Sequence, residues 1–268
     1  MKLVILCVDG LDPDYAKELG FPKMPYESKL DISKELYDNG VPHTLFVWPS
    51  MFSGRKVVTE LTEFRDIWLS EIRLPIRRFL HKLGIRWRKK GKWMVNPINM
   101  NIETVADRYN SIMWNIPTIC PEFVFGFPDH DYMLRYGRHE YEIWKIISYG
   151  MCLYPHHLSL AYCHLPDILG HLKKPLEETY LDIHHHAKML SKYRSVMLVS
   201  DHGCLDGEHT HHAYLGCTEP VEAERVLEVR ADIERIISKT YNEATFSASR
   251  ISDGLISPDQ SGSTFRTR

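Results

Sequence analysis

The chain contains short, uninterrupted runs of apolar residues, and segments with helical spacing separate them. The clearest run, Leu3–Val8, has six apolar residues in succession and ends at Asp9 and Gly10. A strand that is apolar on both faces has to be covered on both faces, as happens in a parallel sheet packed between helices. We therefore predict an α/β protein with a largely parallel central sheet and helices on both faces.

The apolar runs and the helical spacing of apolar residues also predict where the strands and helices lie. Compact apolar runs bounded by polar or turn residues predict strands at Leu3–Val8, His43–Val47, Ile112–Ile116, Leu158–His164 and Ser195–Ser200. Helical spacing predicts helices at Asp31–Asn39, Glu140–Tyr149, Pro175–Lys192 and Val221–Ser238. We expect residues 1–241 to form a single catalytic domain with a basic insertion at about 60–100. Residues 242–268, rich in Ser and Thr, are expected to form a flexible tail.

Composition excludes several classes of protein. With 33 Lys and Arg against 35 Asp and Glu, the net charge is −2, which argues against a globally basic nucleic-acid-binding protein. No apolar run approaches the roughly 18 residues that span a bilayer, and the apolar start lacks a small-residue cleavage site. We expect a cytoplasmic protein without a membrane span. Its six cysteines show no CxxC spacing, so we expect free thiols.

One segment, Arg73–Lys92, has a strong local charge bias. Its nine basic residues are interleaved with Trp87, and Trp93 follows them. A solvated helical insertion explains this pattern as well as a surface that attracts a polyanionic substrate, nucleic acid or an anionic lipid. Both interpretations stay open.

Polar clusters follow several of the apolar runs, and they contain the residue types that bind metals. The clusters are Asp9-Gly10, Asp167 to His171, Asp201-His202-Gly203 and the histidine group His209, His211 and His212. The carboxyl ends of parallel strands converge on one rim of a sheet, where ligands bind. Imidazoles combined with carboxylates favour zinc or manganese over an iron–sulfur cluster. In contrast, His184-His185-His186 lies inside a predicted helix, and we interpret it as helix surface or packing.

The order of these motifs resembles that of the alkaline phosphatase superfamily, particularly its type I phosphodiesterase/nucleotide pyrophosphatase branch. That family opens with an apolar strand ending in a metal-binding Asp, here Asp9. Its Thr or Ser nucleophile precedes a Gly by ten residues, as Thr44 precedes Gly54. An Asp-x-x-x-His motif, a Ser-Asp-His-Gly motif and a late His-Thr pair complete the order; they match Asp167 to His171, Ser200 to Gly203 and His209-Thr210.

The resemblance implies two divalent metal ions, with Zn²⁺ preferred and Mn²⁺ as the alternative. Carried over residue by residue, the first ion is bound by Asp167, His171 and His209. The second is bound by Asp9, Thr44, Asp201 and His202, and Thr44 is the nucleophile. His211 and His212 compete with His209 for the last position.

The resemblance also implies a fold and an activity. We expect an alkaline-phosphatase-like core and a metal-dependent phosphodiesterase or nucleotide pyrophosphatase, whose substrate is a small-molecule phosphodiester or nucleotide. Arg55 is the only arginine close to Thr44 in sequence, which favours diesters over the more highly charged monoesters. Two alternatives remain: a phosphomonoesterase that uses the same site, and a non-catalytic protein that keeps the fold and uses Arg73–Lys92 to hold nucleic acid or an anionic surface.

Overall fold

The structure is a computed structural model that describes residues 2–21, 23–38, 40–58, 102–120 and 130–239. The predicted basic insertion, including Arg73–Lys92, and the predicted tail lie outside the described residues. The division of the chain into a single domain, an insertion and a tail therefore remains a prediction. Of the helices in the described ranges, none is both long enough and apolar enough to cross a membrane.

The described residues contain alternating strands and helices. The strands are β1 (Leu3–Val8), β2 (Tyr26–Asp31), β3 (Tyr37–Asp38), β4 (Val41–Pro42), β5 (Ser111–Trp114), β6 (Leu158–Cys163), β7 (Ser195–Val199), β8 (Cys204–Leu205), β9 (Glu208–His209) and β10 (His212–Cys217). The helices are α1 (Pro13–Glu18), α2 (Thr44–Ser53), α3 (His130–Leu153), α4 (Leu165–His171), α5 (Glu177–Leu190) and α6 (229–239).

Six of these strands form the central sheet, in the order β2-β10-β7-β1-β6-β5. Strand β1 pairs in parallel with β6 and β7, and β6 pairs in parallel with β5. Strand β10 is antiparallel to both of its neighbours, β7 and β2. The predicted α/β class with a largely parallel sheet is confirmed.

Strand β1 separates two hydrophobic cores, one on each face of the sheet. Leu3, Ile5 and Cys7 pack into one core, and the alternate residues Val4, Leu6 and Val8 pack into the other. Full burial of one such aliphatic side chain stabilises the fold by about 1.5–3 kcal/mol. This double burial explains the uninterrupted apolar run. The six cysteines are free, and all but Cys120 are buried.

Two predicted elements are wrong. The strand predicted at His43–Val47 is the start of α2, because the apolar stretch continues for a full helical length to Ser53. The His43 ring caps this helix by accepting a hydrogen bond from the Leu45 N–H, and Gly54 ends it with a φ of 67°. The helix predicted at Asp31–Asn39 is instead the end of β2, a 3-10 turn and β3, because β2 pairs with β10 along its whole length.

The other predicted elements are present with shifted bounds. The predicted helix Glu140–Tyr149 lies within the longer α3, and Pro175–Lys192 contains α5. The last predicted helix starts at 229 instead of Val221. The Asp232 carboxylate accepts the backbone N–H groups of Glu222 and Ala223, which holds that stretch in a loop.

Helix α2 contains a proline, and the surrounding structure compensates for it. Pro49 has no N–H, so the Leu45 carbonyl loses its usual partner four residues on. The hydroxyl of Thr118 donates a hydrogen bond to this carbonyl at 3.1 Å. Thr118 is buried and has a φ of 70°, a left-handed conformation that a β-branched residue adopts at a cost. The contact therefore supports the helix that begins at Thr44.

We predict that Thr118→Val lowers the free energy of unfolding by about 1–2 kcal/mol, because the valine has the same shape but leaves the Leu45 carbonyl without its donor. Thr118→Ser keeps the hydroxyl and should lose less. Urea unfolding of the metal-free protein measures both effects. Equal stability of the Val and Ser variants would contradict the role of this hydrogen bond.

Candidate metal centre and nucleophile

The residues that directly follow four parallel strands lie at one rim of the sheet. Asn115 follows β5, His164 follows β6, Asp9 follows β1, and Ser200 and Asp201 follow β7. The strands are in matched register, since Val8 pairs with Cys163 and Cys7 with Val199. The strands therefore end at the same level of the sheet, and the polar side chains that follow them lie close together at this rim.

One group of metal-ligating side chains consists of Asp167, His171 and His209. Asp167 and His171 are four residues apart on α4 and face the same direction. Asp167 Oδ1 lies 3.4 Å from Nε2 of His171 and 3.4 Å from Nε2 of His209. The two imidazole Nε2 atoms are 2.9 Å apart. His171 is exposed, so this side of the centre is open to solvent.

A second group consists of Asp9, Asp201 and His202, and Thr44 lies beside it. Nε2 of His202 is 3.2 Å from Asp9 Oδ1 and 3.3 Å from Asp201 Oδ2. The Thr44 hydroxyl is 3.0 Å from the same Nε2. Thr44 is only partly buried, whereas the other three residues are fully buried.

Backbone carbonyls orient the imidazoles of both groups. The Nδ1 of His202 bonds to the Gly203 carbonyl at 3.1 Å, and the Nδ1 of His209 bonds to the Pro42 carbonyl at 2.9 Å. A carbonyl accepts only, so in each ring Nδ1 carries the proton and the Nε2 lone pair faces the cluster. The two rings stack with centroids 3.8 Å apart.

Two glycines allow the backbone to come this close. Gly10 has a φ of 76°, and a Cβ on it would come within 2.6 Å of the Asp167 Cα, so the residue lets α4 pack against the end of β1. A Cβ on Gly203 would come within 2.3 Å of Asp12 Oδ2. A larger residue at Gly10 would push α4 away from the end of β1, and one at Gly203 would displace the Asp12 and Thr210 side chains.

Burial dominates the electrostatics of the cluster. Burial, together with the neighbouring carboxylates, raises the pKa of Asp9 to about 8, and burial raises the pKa of Asp201 to about 7. Burial also acts to raise the pKa of Asp167, but its contacts with the imidazoles of His164 and His209 hold this pKa well below its usual value. The burial of three neighbouring carboxylates therefore has an electrostatic cost that a bound cation would offset.

The unsatisfied atoms of the cluster fit bound metal ions. Among the described residues, no partner of ordinary hydrogen-bond geometry reaches Asp9 Oδ1, Asp167 Oδ1 or either oxygen of Asp201. These oxygens and the Nε2 lone pairs of the neighbouring histidines face common points. Carboxylate oxygens with neutral imidazoles form a donor set that suits Zn²⁺ or Mn²⁺. The residues therefore fit two divalent ions.

All seven residues that the resemblance implied come together at this rim, in or beside the two groups just described. They are Asp9, Thr44, Asp167, His171, Asp201, His202 and His209. His211 and His212 do not join them. His211 stacks on Tyr37, and Nδ1 of His212 lies 3.1 Å from Asp31 Oδ1 at the surface.

Sequence reasoning missed two residues of the cluster. His164 is buried between Asp9 and Asp167, and Cys204 lies beside Asp167, His171 and His209. Burial raises the pKa of the Cys204 thiol. His164 could have been found from its position directly after an apolar strand, which is also the position of Asp9.

Comparison with known proteins identifies the fold of this chain through solved structures. No family model and no curated protein matches the sequence. Among solved structures, the alkaline phosphatase from the Antarctic bacterium TAB5 matches with a TM-score of 0.51 and 9% identity, over 88% of this chain and 97% of that chain. PH0037 protein from Pyrococcus horikoshii matches with a TM-score of 0.45 and 10% identity, over 88% and 96%.

Murine ectonucleotide pyrophosphatase/phosphodiesterase 5 matches with a TM-score of 0.38 and 14% identity, over 76% of this chain and 57% of that chain. The likeness to the TAB5 enzyme shows that this chain has an alkaline-phosphatase-like fold, as its motifs predicted.

We predict that His209→Ala weakens Zn²⁺ binding by more than about a hundredfold, because its Nε2 lies beside Asp167 and His171. Removal of a metal ligand lowers the affinity more than removal of a residue that only hydrogen-bonds to a ligand, which costs about 10–100-fold. His211→Ala and His212→Ala are the matched controls and should bind Zn²⁺ like the unaltered protein. Competition with a chelator measures the affinities. A larger loss of Zn²⁺ affinity in either control variant would show that the altered residue, and not His209, is the ligand.

Proposed function

We propose that this chain is a metal-dependent hydrolase of phosphoric esters, acting on phosphodiester or pyrophosphate bonds with Thr44 as the nucleophile. One observation carries the proposal: the hydroxyl of the half-buried Thr44 lies 3.0 Å from His202 Nε2, beside two groups of carboxylates and imidazoles. The fold shared with an alkaline phosphatase supports the same class of reaction.

The local backbone around Thr44 suits attack on an anionic phosphorus centre. Thr44 is the first residue of α2, a ten-residue helix. The N–H groups of a first helical turn and the helix dipole favour an anion at that end. A phosphoryl group bound next to the Thr44 hydroxyl therefore meets a partial positive charge that the backbone supplies.

The residues that we propose as metal ligands are Asp167, His171 and His209 for one ion, and Asp9, Thr44, Asp201 and His202 for the other. Divalent ions bound there supply Lewis acidity, which lowers the pKa of a hydroxyl and neutralises charge on the phosphoryl and leaving oxygens.

The reaction proceeds in two displacements. Thr44 Oγ1 gives up its proton to solvent and forms a bond to phosphorus as the bond to the leaving oxygen breaks, which gives a phosphothreonine ester; the leaving oxygen takes a proton from solvent. Water then attacks phosphorus from the opposite side and loses a proton to solvent. The bond to Thr44 Oγ1 breaks, and Oγ1 takes up a proton, which restores the hydroxyl. The open side near His171 gives water and the leaving group a route to this site.

The charges around Thr44 favour a substrate with a single negative charge on phosphorus. The described contacts of Thr44 and of its neighbouring carboxylates and imidazoles involve no lysine or arginine. Arg55 follows the far end of α2, and ten helical residues span about 15 Å. A monoester dianion needs more cations close to its oxygens than a diester monoanion does.

We predict that Thr44→Ala lowers kcat by about a thousandfold or more, because it removes the attacking hydroxyl. Thr44→Ser keeps a hydroxyl and should retain part of the activity. Turnover of bis-p-nitrophenyl phosphate with added Zn²⁺ or Mn²⁺ measures both. Undiminished turnover by the Ala variant would show that Thr44 is not the nucleophile.

A second prediction concerns substrate preference. We expect a higher kcat/KM for bis-p-nitrophenyl phosphate than for p-nitrophenyl phosphate, because the described surroundings of Thr44 supply no lysine or arginine for a second negative charge. Both substrates release the same chromophore, so their rates are directly comparable. Faster hydrolysis of the monoester would favour the phosphomonoesterase alternative.

A further inference from the structure

We propose that His164 is a positioning residue that holds the carboxylates of Asp9 and Asp167 and so fixes the two halves of the metal centre relative to each other. This inference rests on the proposed function. His164 has no counterpart in the motifs that led to the seven candidate residues.

Each of the two carboxylates has one oxygen directed to the metal side and one directed to His164. Asp167 Oδ1 faces His171 and His209, whereas Asp167 Oδ2 lies 3.2 Å from Nε2 of His164. Asp9 Oδ1 faces His202, whereas Asp9 Oδ2 lies 3.6 Å from the same Nε2 of His164. A single imidazole nitrogen thus lies between the outer oxygens of two carboxylates that belong to different groups. It is within hydrogen-bond distance of Asp167, and its contact with Asp9 is electrostatic.

The position of His164 argues that it supports the two groups and does not complete either of them. Its Nε2 faces the oxygens of Asp167 and Asp9 that point away from His171, His209 and His202. Outer hydrogen bonds of this kind fix the direction of ligating groups, and their loss typically weakens metal binding by about 10–100-fold.

His164 is itself held by buried residues from two other elements. The Glu140 carboxylate on α3 accepts a hydrogen bond from the backbone N–H of His164. Asn115, which follows β5, donates from Nδ2 to Glu140 Oε1 at 2.8 Å. Glu140 and Asn115 are both buried, and Asn115 has a φ of 57°. These contacts connect the ends of β5 and β6 to α3 and leave His164 little freedom to move.

Asp9 has a second outer partner. The hydroxyl of Tyr162 donates to Asp9 Oδ2 at 2.5 Å. Asp9 therefore keeps part of its support when His164 is removed, whereas His164 is the partner of Asp167 Oδ2 in the described contacts. We expect loss of His164 to affect mainly the ion bound by Asp167, His171 and His209.

The test compares His164→Gln with His164→Asn and His164→Ala. The amide nitrogen of Gln reaches about as far as Nε2 and can still donate to Asp167, whereas that of Asn is shorter and Ala has no donor. We expect the Asn and Ala variants to bind Zn²⁺ about 10–100-fold more weakly than the unaltered protein, and the Gln variant to retain most of the affinity. All should bind two ions per chain at saturation. His185→Ala, which removes an exposed imidazole, is the matched control.

Chelator competition gives the affinities, elemental analysis after dialysis gives the number of ions, and urea unfolding of the metal-free variants gives their stability. A purely structural role would lower that stability but leave the Zn²⁺ affinity of the folded variants unchanged, and this result would overturn the inference. A saturating content of one ion fewer in the Asn and Ala variants would also overturn it, by making His164 a ligand.

The unaltered protein separates this inference from the proposed function. If it binds no Zn²⁺ or Mn²⁺, the two-metal site is wrong, and the role of His164 is wrong with it. If it binds two ions and the Asn and Ala variants bind them equally well, only the positioning role is wrong.

Discussion

Three buried carboxylates, Asp9, Asp167 and Asp201, lie close together at one rim of the sheet, and the structure of this region depends on how their charge is balanced. A buried carboxylate that is not compensated raises its pKa or destabilises the fold. The raised pKa values of Asp9 and Asp201 follow from burial and mutual repulsion. A protein does not collect such groups for stability. Their convergence, with Nε2 lone pairs beside them, is the physical reason for proposing bound cations.

The predictable part of the fold is the part that is buried on both faces. Strand β1 is apolar throughout because each of its faces packs into a core, and the runs at β6 and β7 have the same origin. Strand β2 lies at the edge of the sheet and is mostly polar, so its sequence contains no uninterrupted apolar run. It is a strand because it pairs with β10. Helix α2 was mistaken for a strand because a helix buried on nearly all sides also has an uninterrupted apolar run.

The candidate site was predictable because parallel strands deliver the residues that follow them to one rim. The choice of His209 over His211 and His212 was made from the His-Thr pair of the resemblance, and the position of His209 depends on a hairpin. Asp206 and Gly207 have φ values of 52° and 90°, as in the two-residue turn that Asp-Gly favours. This turn pairs β8 with β9 and sets His209 opposite Cys204. His164 was missed because a lone histidine after an apolar strand is usually a core residue.

Three contacts tie the two halves of the centre and the nucleophile into one unit. His164 lies between the outer oxygens of Asp9 and Asp167. The ring of His209 stacks on that of His202 across the two groups. The Pro42 carbonyl, two residues before Thr44, accepts from His209 Nδ1. A displacement of His209 therefore changes its own group, the adjoining imidazole and the backbone that leads into α2. The position of Thr44 relative to Asp167, His171 and His209 therefore depends on His209. If the proposed function holds, the position of the nucleophile is coupled to metal binding by that group.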